Sequence, residues 1–279
     1  MSAAGSRRVL DRPAREPDAV LRYADHADGV VDVRLPEPRG ESTLGAAPVV
    51  VLLHGGFWRA EWDRRHIRPL ADGLAALGAV VLTPEYRRTG APDGGWPGTF
   101  DDIAAMLDAL PRLRAETGAA GAAPVALVGH SAGGHLALWG AARHRLPTTS
   151  RWYAPQAYPL AGIVGLAPVS DVAYAAEADL DGGAAVALLG GARSEVPERY
   201  AKTDPMQLLP IGRRVAVLHG TADPHVPVEM SRAFAAAAQA AGDDVRLRVL
   251  PDVEHFALID PLSPVWPDVR AALEWVRAG

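Results

Sequence analysis

Cysteine is missing from this 279-residue chain, which excludes disulfides, zinc–thiolate sites and a cysteine nucleophile. Lysine is almost missing: Lys202 is the one lysine among 28 Lys and Arg residues. The arginines are scattered rather than gathered into a stripe, and the formal net charge is −5, so the charge pattern argues against nucleic acid as a partner. No run of ~20 apolar residues is available to span a bilayer. The opening stretch MSAAGSRRVLDRPAREPDAV holds no apolar segment of signal-peptide length. A cytoplasmic protein with no membrane partner is the expectation. Walker and Gly-rich phosphate fingerprints are absent, and the histidines flanking Ser131, His130 and His135, do not fit His-Glu-x-x-His. Neither a cofactor nor a metal is therefore expected.

What the chain does have is apolar residues, 49% of the total, enough for a sizeable core. Short runs rich in β-branched residues recur: PVVVLL (48–53), GAVVLTP (78–84), APVALVG (123–129) and RRVAVLHG (213–220). Such runs predict buried parallel strands. AGIVGLAPVS (161–170) and DVRLRVLP (244–251) read as further strands, and VVDVRLP (30–36) alternates like a strand exposed on one face. Helical spacing of apolar residues covers 64–77, 100–115, 132–143, 228–241 and 265–277. Strand and helix in alternation predict an α/β fold, a mostly parallel twisted sheet with helices on both faces. A loose arm is expected over 1–21 and a single domain over 22–279. The stretches 146–160 and 171–204 break the rhythm and leave room for loops or a small cap near strand ends, where open α/β sheets bind ligands.

The richest local signal is GHSAGGH, residues 129–135, directly after a predicted strand and before a predicted helix. A serine at that junction must turn sharply, and Gly129 and Gly133 remove side chains that would collide across the turn. Ser131 is then presented at the carboxyl edge of the sheet above a helix N-terminus, which favours developing negative charge. That makes it a nucleophile candidate.

A serine nucleophile needs a base, and the base needs an orienting carboxylate. The chain order serine, acid, histidine is met by Asp223, just past the strand in VAVLHGTADPHVP, and His255, just past the strand in VRLRVLPDVEHF. Asp171 and Asp252 are rival acids, and His225 is a rival base that shares a loop with Asp223. An oxyanion needs donors. His54-Gly55-Gly56-Phe57-Trp58 ends a strand, and the backbone N–H groups of Gly56, Phe57 and Ala132 are the candidates. His54 is expected to brace that loop, His219 to be a satisfied core histidine, and Arg87 to pair with Asp102.

These pieces together resemble the α/β-hydrolase superfamily. HGGFW, TPEYRR and GHSAGGHLAL are similar to segments of kynurenine formamidases and small carboxylesterases, and the resemblance spans roughly residues 28–277. It implies a cofactor-free serine hydrolase acting through an acyl-enzyme on small carboxylic esters or aryl formamides, with arylformamidase as the narrowest version. A prolyl-oligopeptidase-like peptidase and a non-catalytic small-molecule binder are the alternatives. Trp58, Trp96, Trp152 and Tyr153 are the candidate substrate-binding aromatics, and a homodimer stays open.

Overall fold

The computed structural model describes residues 7–37, 41–119, 121, 123, 125–155 and 159–278. Its centre is an eight-stranded sheet in the order β1-β2-β4-β3-β5-β6-β7-β8. The strands are β1 (Ala19–Arg22), β2 (Val30–Arg34), β3 (Val49–Leu53), β4 (Val80–Pro84), β5 (Val125–His130), β6 (Leu160–Leu166), β7 (Arg214–Gly220) and β8 (Val245–Leu250). β1 and β2 are antiparallel, as are β2 and β4. Every pairing from β4 through β8 is parallel.

The apolar runs are continuous because the sheet is covered on both faces. Side chains alternate across a strand, so Val49, Val51 and Leu53 of β3 enter one core while Val50 and Leu52 enter the other. β5 divides the same way, with Val125 and Leu127 on one side and Ala126 and Val128 on the other. Helices at Arg68–Ala76 and Trp266–Arg277 cover the second core, and those at Gly98–Asp108, Ala132–Ala141 and Val228–Ala240 cover the first. This is the α/β-hydrolase fold, and the predicted strands and helices fall where periodicity put them.

Two departures have physical causes, and the stretch 171–204 takes the expected form of a small cap. β2 is not exposed on one face: Asp32 and Arg34 are buried. Arg64 Nε meets Asp32 Oδ1 at 2.7 Å, Arg68 Nη2 meets Asp32 Oδ2 at 3.2 Å, and Arg34 Nε meets Asp72 Oδ1 at 2.9 Å. Polar alternation therefore marks ion pairing beneath neighbouring segments, not solvent. The arm expected over 1–21 is, from residue 7 onward, tied to the fold by a 3-10 turn at Arg7–Val9, by the buried Val9 and by β1. The stretch 171–204 folds into three short helices, Val172–Glu177, Ala184–Leu189 and Pro197–Thr203, a small cap at the carboxyl edge. Among the described residues, no helix is long and apolar enough to cross a membrane.

Candidate active site

β5 delivers Ser131 to the carboxyl edge, and the helix Ala132–Ala141 starts immediately after it. Ser131 has φ 55° and ψ −120°, the left-handed region that L-residues avoid unless their surroundings enforce it. Those surroundings are visible. Ser131 N–H donates to Leu166 O at 2.9 Å, and Ser131 O accepts from the N–H groups of Gly134 and Val169 at 2.9 and 3.1 Å. A Cβ on Gly129 would strike the carbonyl of Gly133, and one on Gly133 would strike the carbonyl of Leu53. The glycines thus let two strand ends and a helix start share one crowded volume.

Asp223 follows β7 and His255 follows β8. Asp223 Oδ2 accepts from His255 Nδ1–H at 2.6 Å, while Oδ1 accepts from the backbone N–H groups of His225 and Val226 at 2.8 and 2.9 Å. Burial pushes the Asp223 carboxyl up, but hydrogen bonds from His219 and His255 and the backbone N–H of Val226 outweigh it and hold the group well below the usual carboxylate range. The acid is a fixed anion. Ser131 and His255 line one pocket. Among the described residues Ser131 Oγ makes no hydrogen bond to the ring, as is common for catalytic pairs that tighten only around substrate.

The rivals are occupied elsewhere. Asp171 caps the helix Val172–Glu177, accepting from Tyr174 N–H at 2.7 Å. Asp252 is exposed, and its N–H donates to Thr221 Oγ1 at 2.9 Å. The His225 ring stands 5.2 Å from the His255 ring and bonds to Asp223 through its backbone only. His219 is satisfied at both nitrogens, by Ser231 Oγ at 2.7 Å and Val226 O at 2.9 Å, with Asp223 Oδ2 3.3 Å away. It also supports the acid, a role that its place at a strand end did not reveal.

On the other side of the pocket, Gly56, Phe57 and Trp58 all have positive φ, at 105°, 47° and 56°. This bend lays Gly56 and Phe57 along the pocket wall. Among the described residues the N–H groups of Gly56, Phe57 and Ala132 form no hydrogen bond, and Ala132 opens its helix, where N–H groups lack intrahelical partners. His54 braces the loop from below. Its Nδ1–H donates to Gly55 O at 2.9 Å, its Nε2 meets Glu85 Oε1 at 2.9 Å, and its ring stacks on Tyr86 at 4.3 Å. Glu85 is buried, which pushes its carboxyl up, but His54 and Arg88 draw it down to about 2. Glu85 lies in the quoted TPEYRR, yet nothing in its spacing distinguished it as a support for the loop. Arg87 and Asp102 pair at 2.6 Å.

The aromatics expected to touch substrate do not line this pocket. Trp58 is fully buried against His135, at 5.2 Å, and Trp152 is buried with its Nε1–H on Asp101 Oδ1 at 2.7 Å. Trp96 packs edge-on against Trp152 at 4.9 Å, and Tyr153 packs on the same core. Their bulk fills the space between helices. The pocket wall is instead built by Trp62, Phe256, His66, His130 and His225, with Trp62 and Phe256 stacked at 6.2 Å. Of these, His130 and His225 had drawn notice in the sequence for other roles, while Trp62, His66 and Phe256 carried no signal beyond residue type.

The BD-FAE family model matches residues 31–237. The chain belongs to the BD-FAE family. Within that family assignment, similarity to named proteins runs toward esterases. The chain is 26% identical over 219 residues to esterase LipQ of Mycobacterium tuberculosis, covering 75% of this chain and 50% of LipQ. It is 36% identical over 94 residues to the probable carboxylic ester hydrolase LipM of the same organism, covering 33% of this chain and 21% of LipM. The chain thus spans half or less of the length of these two curated relatives. Among solved structures, esterase B from Lactobacillus rhamnosis superposes with TM-score 0.76 at 22% identity, over 99% of this chain and 90% of that one. A truncated carbohydrate esterase from gut microbiota gives TM-score 0.76 at 16% identity, over 95% and 100%. At these identities the structural likeness speaks to the fold.

Proposed function

We propose that this chain is a serine hydrolase of small carboxylic esters, with Ser131 as nucleophile, His255 as base and Asp223 as orienting acid. The observation that carries the reading is the 2.6 Å bond from His255 Nδ1–H to Asp223 Oδ2 in a pocket that His255 shares with the strained Ser131. Ser131 Oγ attacks the acyl carbon as its proton passes to His255 Nε2. The carbonyl oxygen becomes an oxyanion, held by the N–H groups of Gly56, Phe57 and Ala132. Collapse breaks the bond to the leaving alcohol, which takes the proton from Nε2. Water then attacks the acyl-enzyme, giving its proton to His255, and the acid leaves as Ser131 regains a proton. Asp223 stays ionised throughout.

The relatives' names favour esters. The pocket favours small ones: it holds about 130 Å³, below the ~300–1,000 Å³ typical of drug-sized sites. The narrower version, cleavage of an aryl formamide, draws on the same small pocket and on the ring pair Trp62 and Phe256 at its wall. The test is turnover of p-nitrophenyl acetate and of N-formylkynurenine, with fluorophosphonate labelling alongside. Ser131→Ala is expected to lose labelling and to lower kcat by roughly 10³-fold or more. A variant that keeps full turnover overturns the reading, and ester turnover without formamide turnover removes the narrower version alone.

A further inference from the structure

We infer that Arg7 makes the pocket selective for substrates whose leaving group carries a carboxylate. This deepens the ester-hydrolase reading and rests on it.

The placement of Arg7 is built by the fold. The turn Arg7–Val9 packs against the turn His255–Ile259, which begins with the proposed base. Val9 is buried in the second core, and Arg12 Nη2 meets Asp260 Oδ2 at 2.7 Å at the far end of the same turn. Two anchors therefore hold the segment that carries Arg7. The guanidinium carbon lies 5.8 Å from the centre of the Phe256 ring, and Arg7 lines the pocket with Ser131 and His255. A cation on an aromatic face is held in place while its N–H groups stay free to donate.

Arg7 is also the unbalanced charge of the pocket wall. Among the described residues it forms no ion pair. Asp181, the acid that lines the same pocket, is taken by Arg59, whose Nε meets Oδ2 at 2.7 Å and whose Nη2 donates to the Asp181 carbonyl. Burial holds His66 down at about 4, and it lowers His130 and His225 as well, so these wall histidines are neutral near pH 7. Asp223 lies beneath His255 and spends its oxygens on four donors. An anion entering the pocket meets one exposed guanidinium, a donor fork suited to a carboxylate. The side it meets is also fixed. The leaving atom must reach His255 Nε2 to be protonated, and Phe256, on which Arg7 rests, is the next residue, with the two rings 5.3 Å apart. The group facing Arg7 is therefore the leaving half of the substrate.

A matched pair of acetyl esters reads this directly: 4-acetoxybenzoate, whose leaving phenol is anionic, and 4-acetoxybenzamide, its neutral isostere. The quantity is the ratio of their kcat/KM values at low salt. Arg7→Gln is expected to lower the ratio about twofold to fivefold, the upper part of the range for an exposed charge pair, chiefly through KM. Arg7→Lys should restore part of it, and added salt should shrink the wild-type ratio. A ratio unchanged in Arg7→Gln overturns the inference. Calorimetric binding of 4-hydroxybenzoate and 4-hydroxybenzamide to Ser131→Ala, with and without Arg7→Gln, separates the two readings. Arg7-dependent preference for the benzoate, together with a wild-type protein that cleaves neither ester, would sink the hydrolase reading and leave the carboxylate site standing. Equal binding of both compounds in both variants would sink the site, whatever the ester turnover.

Discussion

At the scale of single residues, the site depends on Asp223 being an acceptor at both oxygens. Oδ1 takes two backbone N–H groups and Oδ2 takes the His255 ring. An amide in its place must turn its oxygen toward one set and its NH₂ toward the other. If NH₂ faces His255, the ring is forced into the tautomer that points its proton at Ser131 and no longer accepts one. Asp223→Asn is therefore expected to fold and to lower kcat on p-nitrophenyl acetate by roughly 10³- to 10⁴-fold. Steady-state kinetics beside a thermal melt checks both halves, and a variant within tenfold of wild type would show that the acid is elsewhere. Residue type and chain order sufficed to single out Ser131, Asp223 and His255 as candidates, and the fold bonds Asp223 to His255 and sets His255 and Ser131 in one pocket. The same reasoning chose wrongly among tryptophans. Trp58 stands in the glycine loop motif and Trp96 and Trp152 in connecting stretches, but a large ring in such a place is as useful to a core as to a pocket. Which of the two it serves depends on packing from residues far along the chain.

At the scale of elements, the turn between β5 and the helix Ala132–Ala141 sets where Ser131 stands. It tolerates no added volume. The Cβ of an alanine at 133 meets the backbone carbonyls of Leu53 and His54, whereas a Cβ at Gly45 meets nothing within 4 Å. Backbone cannot swing aside as a flexible side chain can, so Gly133→Ala should destabilise by about 3 kcal/mol or more. Gly45→Ala, in the short helix Glu41–Ala46, should be neutral or stabilise by up to about 1 kcal/mol. Urea midpoints for the two variants decide it, and equal midpoints would refute the crowding argument. The strands β3 to β7 were legible as apolar runs because both faces of the sheet are covered there, whereas β2 was legible by its alternation. β1 was not, since a four-residue edge strand of AVLR carries too little pattern to stand out from an arm. The capping segment was legible only as an interruption, because its three helices are too short to show a period.

For the molecule as a whole, buried neutral histidines set the response to acid. His66 and His135 are each lowered to about 4 by burial, and His130 is lowered well below its ordinary value for the same reason. In the unfolded chain each binds a proton near pH ~6.5. The folded state therefore binds fewer protons across this interval, and the stability these groups contribute is complete above about pH 6.5 and is lost as pH falls toward about 4. Asp204 has the opposite sign: burial raises it to about 6, so its ionisation weakens the fold as pH rises through that value. Glu85, held at about 2, adds a further loss below its unfolded value near ~4.5. Three histidines outweigh one aspartate, so the urea midpoint should fall steadily from pH 7 to pH 4, and His135→Gln should make that decline shallower. A midpoint that is flat or rises on acidification would contradict the assignment of these rings as neutral.

By itself the sequence determined the class of the sheet, the sharp turn at Ser131, the places of Asp223 and His255 just past their strands, and the glycine loop opposite them. Each of these is written in local terms: an apolar period, a pair of glycines that only a tight turn requires, a residue type just past a strand. Tertiary structure alone decided what surrounds Ser131 and His255. It buried Trp58 and Trp152, set Glu85 beneath the loop of Gly55 and Gly56, put Trp62 and Phe256 in the pocket wall, and brought Arg7 from the N-terminal segment to the flank of His255. Those placements arise from contacts between residues tens to hundreds of positions apart, and a contact of that kind leaves no mark on the period or spacing of either partner.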